Sequence, residues 1–213
     1  LEQVKYDIEH LTEFTIAYFE SLLAKYGKGR ERKTIITSFD TIEIKEVVAN
    51  NAKLYVNRAE GFIGMGMKKD EFVCDCADIA DIIAFTKEGK FKVVRIEDKV
   101  FIGKDIIHVA VWLKSDDRTT YNMIYLDGKS GRTFAKRFNV TAITRDKEYD
   151  LTQGTKGSKV LYFTSNPNGE SETVQVQLTM SSTAKKKQFD FDFGELAIKG
   201  RSSQGNTVTK YPV

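Results

Sequence analysis

The chain has 213 residues, 30% of them charged and 41% apolar, with 33 Lys and Arg against 30 Asp and Glu and a net charge of +3. That length supports one sizeable core, or a core with an appendage, and the mixture is ordinary for a soluble globular protein. Two prolines exclude a long Pro-rich linker, no apolar run approaches the roughly 18 residues of a membrane helix, and the opening LEQVKYDIEH lacks the basic-then-apolar pattern of a secretory signal.

Leu1 to Tyr26 is predicted as one helix. Leu1, Val4, Ile8, Leu11, Thr15, Tyr18 and Leu22 fall at three- and four-residue steps, and Phe14, Phe19 and Leu23 widen the stripe. Lys25 and Lys28 suit the negative end of the helix dipole, and Gly27 and Gly29 end it. So broad an apolar stripe is expected to pack on something. KGRERKT (Lys28–Thr34) reads as a short basic linker.

From Ile35 onward the pattern is β. Thr34–Phe39 and Ile42–Val48 open it. Then a strand–glycine turn–strand unit recurs five times, at Leu54–Gly64, Asp81–Ile96, Asn122–Phe138, Lys159–Val176 and Leu196–Val213, around Gly61, Gly89, Gly131, Gly169 and Gly205. Further strands are expected at Glu71–Cys76, Ile106–Leu113, Thr141–Thr144 and Phe189–Phe193. Asp127–Gly128 and Asn168–Gly169 are hairpin signals. SSTAKKKQ (Ser181–Gln188) reads as an exposed loop. A repeat of this kind implies a propeller-like or solenoid array, because one unit cannot bury its own apolar face. The second strand of a unit usually carries Lys or Arg, which points to an anionic partner.

Little else suggests chemistry. Cys74 and Cys76, as C-x-C on one strand, have only His10 and His108 as histidines to complete a metal set, and an i, i+2 disulfide is geometrically poor; they read as reduced cysteines. Trp112 and His108 read as structural. Tyr55, Phe85, Tyr125, Tyr162 and Phe163 recur before turns as a core stripe, and Asp190 and Asp192 alternate with phenylalanines as a polar strand face. Asn139–Thr141 matches a glycosylation sequon with no sign of secretion beside it. The absence of an initiator Met and the end inside a strand-like run lead us to expect a fragment of a longer protein.

The segment DEFVCDCADIADIIAFTKEGKFKVVRIED (Asp70–Asp98) resembles the first full blade of the C-terminal β-pinwheel of bacterial type IIA topoisomerase A subunits, which are those of gyrase and topoisomerase IV. The matching features are Glu71–Val73, Asp81–Thr86, Gly89 and the basic strand Lys90–Arg95. GFIG (Gly61–Gly64) is similar to the short strand before that blade, and GRSSQGN (Gly200–Asn206) to a degenerate basic-glycine box between blades. The helix and KYGKGRERKT after it are similar to the last helix of the breakage–reunion core.

The resemblance implies a mainly β fold, a β-pinwheel preceded by one N-terminal helix, with residues 1–30 as the helix and linker and 31–213 as a pinwheel that is incomplete at its C-terminus. It implies a cytoplasmic domain that binds and bends double-stranded DNA, with a second A subunit plus the B subunit as partners in the full enzyme and no membrane contact. The candidate DNA contacts are Lys68, Lys69, Lys90, Lys92, Arg95, Arg132, Lys136, Arg137, Arg201 and Lys210. Such residues position a duplex through its phosphates without reading sequence, and together they must offset a bending cost on the order of 1–6 kcal/mol. No catalytic residue and no cofactor fall in this segment: the family's tyrosine nucleophile, magnesium and ATP act elsewhere. Where gyrases carry a long basic glycine-rich box, this chain has only MGMKK (Met65–Lys69), which favours topoisomerase IV and decatenation. The competing reading is a propeller-like protein-interaction scaffold that binds no nucleic acid.

Overall fold

The structure is a computed structural model that describes residues 2–29 and 51–213. The chain divides into two compact units, one up to Val47 and one from Val48. The strands expected at Thr34–Phe39 and Ile42–Val48, most of the basic linker and the expected boundary at residue 30 lie outside the described residues.

The first unit holds the expected helix as two consecutive segments, α1 (Glu2–Glu9) and α2 (Leu11–Tyr26). His10 marks the break with φ −116° and ψ 43°, and its ring stacks on Tyr6 at 4.2 Å. Gly27 closes α2 by donating its N–H to the Leu23 carbonyl at 2.8 Å. Taken by itself, this unit buries no residue of α2, and Leu23 is 71% exposed.

The second unit repeats one rule. The hairpin β1 (Ala52–Asn57)–β2 (Phe62–Gly64) receives β3 (Glu71–Cys76) on β1. The next hairpin is β4 (Asp81–Thr86)–β5 (Lys90–Arg95). After it the chain runs back to lay β6 (Val100–Phe101) on β2, then lays β7 (Ile106–Trp112) on β4. The third hairpin is β8 (Thr120–Leu126)–β9 (Thr133–Phe138). It is followed by β10 (Glu148–Asp150), which returns to β5, and by β11 (Lys159–Asn166), which lies on β8. The fourth pair is β12 (Thr173–Gln177)–β13 (Gln188–Asp192), after which β14 (Ile198–Lys199) and β15 (Asn206–Thr209) both return to β9. Each of the first three sheets, or blades, is therefore completed by chain that has already started the next one. This gives the expected mainly β array of blades.

The blades pack face to face in series. One core joins blades 1 and 2 through Leu54, Val56, Ile63, Ile82, Ala84 and Val94. A second joins blades 2 and 3 through Ile83, Phe85, Phe91, Tyr121, Met123 and Tyr125. A third joins blades 3 and 4 through Ile124, Ala135, Val176 and Phe193. The run DIIAFT makes sense here: in a strand between two layers both residues of each alternating pair are buried, so Ile82 and Ala84 serve one core and Ile83 and Phe85 the other.

Three of the five expected units are hairpins, and two are not. Gly169 links β11 to β12, which belong to different sheets, and Gly205 lies between β14 and β15, which pair with β9 and not with each other. Strand–glycine–strand is a local pattern, whereas the pairing partner is chosen by the layer on which a strand's apolar face lands. Thr141–Thr144 is not a strand either. The Ala142 carbonyl accepts from the Arg201 guanidinium, and the ladder on β5 is made by Glu148–Asp150.

Candidate nucleic-acid interface

The ten candidate cations occupy very different places. Lys136 and Arg137, on β9, are buried, at 2% and 7% exposure. Lys136 Nζ donates to the carbonyls of Leu151 (2.6 Å), Arg201 (2.6 Å) and Ser203 (3.0 Å). Burial pulls its pKa down to about 8, with Asp150 opposing the shift. Arg137 donates from Nε to Asn122 Oδ1 at 3.0 Å and from its terminal nitrogen to the carbonyls of Gly169 (2.8 Å) and Glu170 (3.1 Å). Asn122 in turn donates to Glu172 at 2.9 Å. All three Lys136 donors, and three of the hydrogen bonds Arg137 can donate, are spent inside the protein, as a buried cation requires partners for its donors. Both are corrected from phosphate contacts to pins that hold the segments around them.

The other eight lie nearer the surface. Lys90 is paired with Glu148 at 2.9 Å, which raises its pKa, chiefly through that hydrogen bond. Lys92 stands opposite Glu148 in the β5–β10 ladder. Arg201 is half-buried, its guanidinium 4.6 Å from the centre of the Tyr149 ring, so it gathers with Lys90 and Lys92 around β10. Arg95 is exposed at the end of β5, opposite Asp81, which itself binds Arg145 at 2.8 Å. Lys68 and Lys69 are exposed on the turn between β2 and β3. Arg132 and Lys210 are exposed and follow on from the Thr133–Thr209 pair of the β9–β15 ladder, so the fold brings these two together at one end of blade 3.

That end of the blades has its own order. In blade 1 the Arg58 and Gly61 carbonyls accept from Ile106 N and Ile102 N, each at 2.9 Å. Gly61 is at φ +82°, and a Cβ there would stand 2.1 Å from the Gly103 oxygen, so only glycine admits the approach. In blade 2 Lys87 N donates to Asp105 O at 2.9 Å, while the Lys87 and Gly89 carbonyls accept from Val160 N and Leu151 N at 2.8 Å. In blade 3 Gly128 N donates to Ser158 Oγ at 3.1 Å. The turns of blades 1 and 2 are thus bonded to the chain that leads into the next blade, and the turn of blade 3 to the chain that enters blade 3 from blade 2. Lys87, Lys104, Lys129, Lys156 and Lys159 are exposed on this line of turns, and none was among the sequence candidates. Their signal was present, a lysine within two residues of a turn glycine.

Other titratable groups inside the array are shifted by packing. His108 lies among Phe85, Tyr121 and Phe163, and burial pushes its pKa down to about 4, with the Arg58 guanidinium adding to the effect. Arg58 itself binds Glu71 at 2.7 Å and donates to the Ile107 carbonyl at 3.1 Å. Cys74 and Cys76 are free thiols whose pKa values burial raises, that of Cys76 to about 11. Among the described residues no group of three or more His, Cys, Asp or Glu side chains is placed to hold a metal.

Among known protein families, the one described as topoisomerase C-terminal domain, Bacteroidota, matches residues 53–213. The A subunit of DNA topoisomerase 4 from Borreliella burgdorferi is 29% identical over 168 residues, which is 78% of this chain and 26% of that protein, so the chain spans about a quarter of the length of this relative. The crystal structure of the C-terminal domain of a DNA topoisomerase IV aligns over 74% of this chain and 55% of its own, at 12% identity and a TM-score of 0.49.

Proposed function

Because this chain belongs to the topoisomerase C-terminal domain family, we propose that it is the DNA-binding and DNA-bending domain of a type IIA topoisomerase A subunit of the topoisomerase IV kind, which holds a duplex by its phosphates for ATP-dependent strand passage. The observation that carries this reading is the match over residues 53–213, nearly the whole of the blade array. The chemistry is compatible with it. Exposed Lys and Arg on a fixed β frame attract phosphates without reading bases, and the release of counterions drives association. The whole enzyme's B subunit, its second A subunit, its decatenating activity and its cytoplasmic place belong to the same proposal.

The test is duplex binding across a salt series, with linear and supercoiled DNA compared. The expected result is affinity that falls about a thousandfold or more between about 50 and 200 mM salt. No binding at low salt overturns the reading. One observation favours the scaffold alternative: among the described residues β12 and β13 pair only with each other, which leaves edges open for strand addition by another protein. Binding of that kind would carry no steep salt dependence.

A further inference from the structure

We propose that the duplex backbone is engaged along the line of turns that joins blades 1 to 3, by Lys104, Lys87, Lys159, Lys156, Lys129 and Arg132, and not by the cations on the strand faces. This rests on the DNA-binding reading above and names the surface that performs it.

Three observations carry it. The first is continuity. Gly61 O receives Ile102 N, Lys87 N reaches Asp105 O, Lys87 O receives Val160 N, and Gly128 N reaches Ser158 Oγ. The backbone of the whole line is bonded from blade to blade, so the six side chains project from a frame that is set before any ligand arrives, and little order has to be created on binding.

The second is availability. All six side chains are exposed, and among the described residues none makes an ion pair, a side-chain hydrogen bond or a ring contact. Most of the other cations are already engaged: Lys90 with Glu148, Arg145 with Asp81, Arg201 with Tyr149, and Lys136 and Arg137 with carbonyls. Lys92 and Arg95 on β5 stand opposite the carboxylates Glu148 and Asp81 in their ladders. Four carboxylates share the line, against six cations, and Glu60 is exposed on the blade 1 turn. Glu88 and Asp105 face the same hollow as Lys87 and Lys159, and Asp127 is turned inward to accept from the Ser130 hydroxyl at 2.6 Å. The line is therefore in net cationic excess. It also has an open tip: nothing lies within 4 Å of where a Cβ on Gly131 would stand.

The third is scale. Sheets packed face to face lie about 10 Å apart, so the ends of three blades span about 20 Å. A duplex presents one phosphate charge per about 1.7 Å of axis, or about a dozen over that length, half of them on the near side. Six cations match that half. Five are lysines, which act as point charges, so the contact is expected to be independent of sequence.

The experiment compares the full chain with two quadruple variants over a salt series, using one linear duplex. The line variant is Lys87→Gln, Lys104→Gln, Lys129→Gln and Lys156→Gln. The control, equal in charge, is Lys53→Gln, Lys99→Gln, Lys114→Gln and Lys147→Gln, all exposed and at the ends of the strands opposite the hairpin turns. Equal urea midpoints confirm that both are folded. The line variant should lose about 3 to 4 from the log–log salt slope and at least about 100-fold in affinity at about 150 mM salt, while the control loses less than about one slope unit. If the parent binds and both variants lose alike, the effect is net charge alone; the line of turns is then wrong and the DNA reading survives. If the parent binds no duplex at low salt, both fail together.

Discussion

Lys136 and Arg137 are adjacent on β9, and the strand's two-residue alternation sends their cations to opposite faces of the same blade. Lys136 enters the layer shared with blade 2, where it ties Leu151 at the end of β10 to Arg201 and Ser203 in the turn between β14 and β15. Arg137 enters the layer shared with blade 4, where it fastens the crossing at Gly169 and Glu170. One dipeptide thus anchors the middle of the array on both sides.

Lys136→Met should therefore destabilise the fold by about 3 kcal/mol, since it keeps the apolar stem but strips a donor from three carbonyls. Urea unfolding measures this. A change below about 1 kcal/mol would show that the ammonium's desolvation cost had cancelled its hydrogen bonds.

At Arg58 the two kinds of partner can be separated. The Glu71 carboxylate is 52% exposed, so Glu71→Gln should cost less than about 1 kcal/mol and should weaken further in salt. Arg58→Ala also removes the donor to the Ile106 and Ile107 carbonyls between blades 1 and 2, and should cost about 1–2 kcal/mol more. Equal losses would mean that the ion pair alone matters.

Acid should find His108. Its folded pKa of about 4 lies below the ordinary value near 6.5, so the neutral ring's contribution is complete above pH 6.5 and is lost as pH falls from 6.5 towards 4. The loss amounts to about 3 kcal/mol. In His108→Phe that component disappears while other acid-titrating groups remain. The stability difference between the two proteins should then vary with pH only in that window, and a constant difference would refute the assignment.

Gly205 and Gly131 both have positive φ, at +89° and +65°, but a Cβ at Gly205 would stand 2.4 Å from the Ala135 oxygen whereas Gly131 is open. Gly131→Ala should cost about 1 kcal/mol, the ordinary penalty of that conformation. Gly205→Ala must also push the returning turn off β9 and should cost at least about 2 kcal/mol more, with Lys136 losing its Ser203 partner. Thermal unfolding of the pair distinguishes the two costs.

Much of the architecture was legible in the sequence. Apolar runs such as DIIAFT, with a glycine turn and a second strand behind them, identified the three true hairpins, because these contacts are local and alternation within a strand is rigid. The blade motif around Asp70–Asp98 pointed to the family for the same reason, since its central part, Asp81–Arg95, is a single hairpin, although Glu71–Val73 belongs to β3 and pairs with blade 1. Gly169 and Gly205 misled because a turn glycine reports backbone conformation and says nothing of the strand's partner.

Amino-acid order by itself determined the mainly β class, the N-terminal helix and the family. The tertiary structure alone decided which cations face solvent. Lys136 and Lys129 look alike in sequence, each a lysine near a glycine turn in the same unit. One is sealed between two sheets and bound to three carbonyls, and the other stands free at the end of a blade. Burial depends on which layers close over a strand, and here those layers come from chain as distant as Leu151 and Ser203.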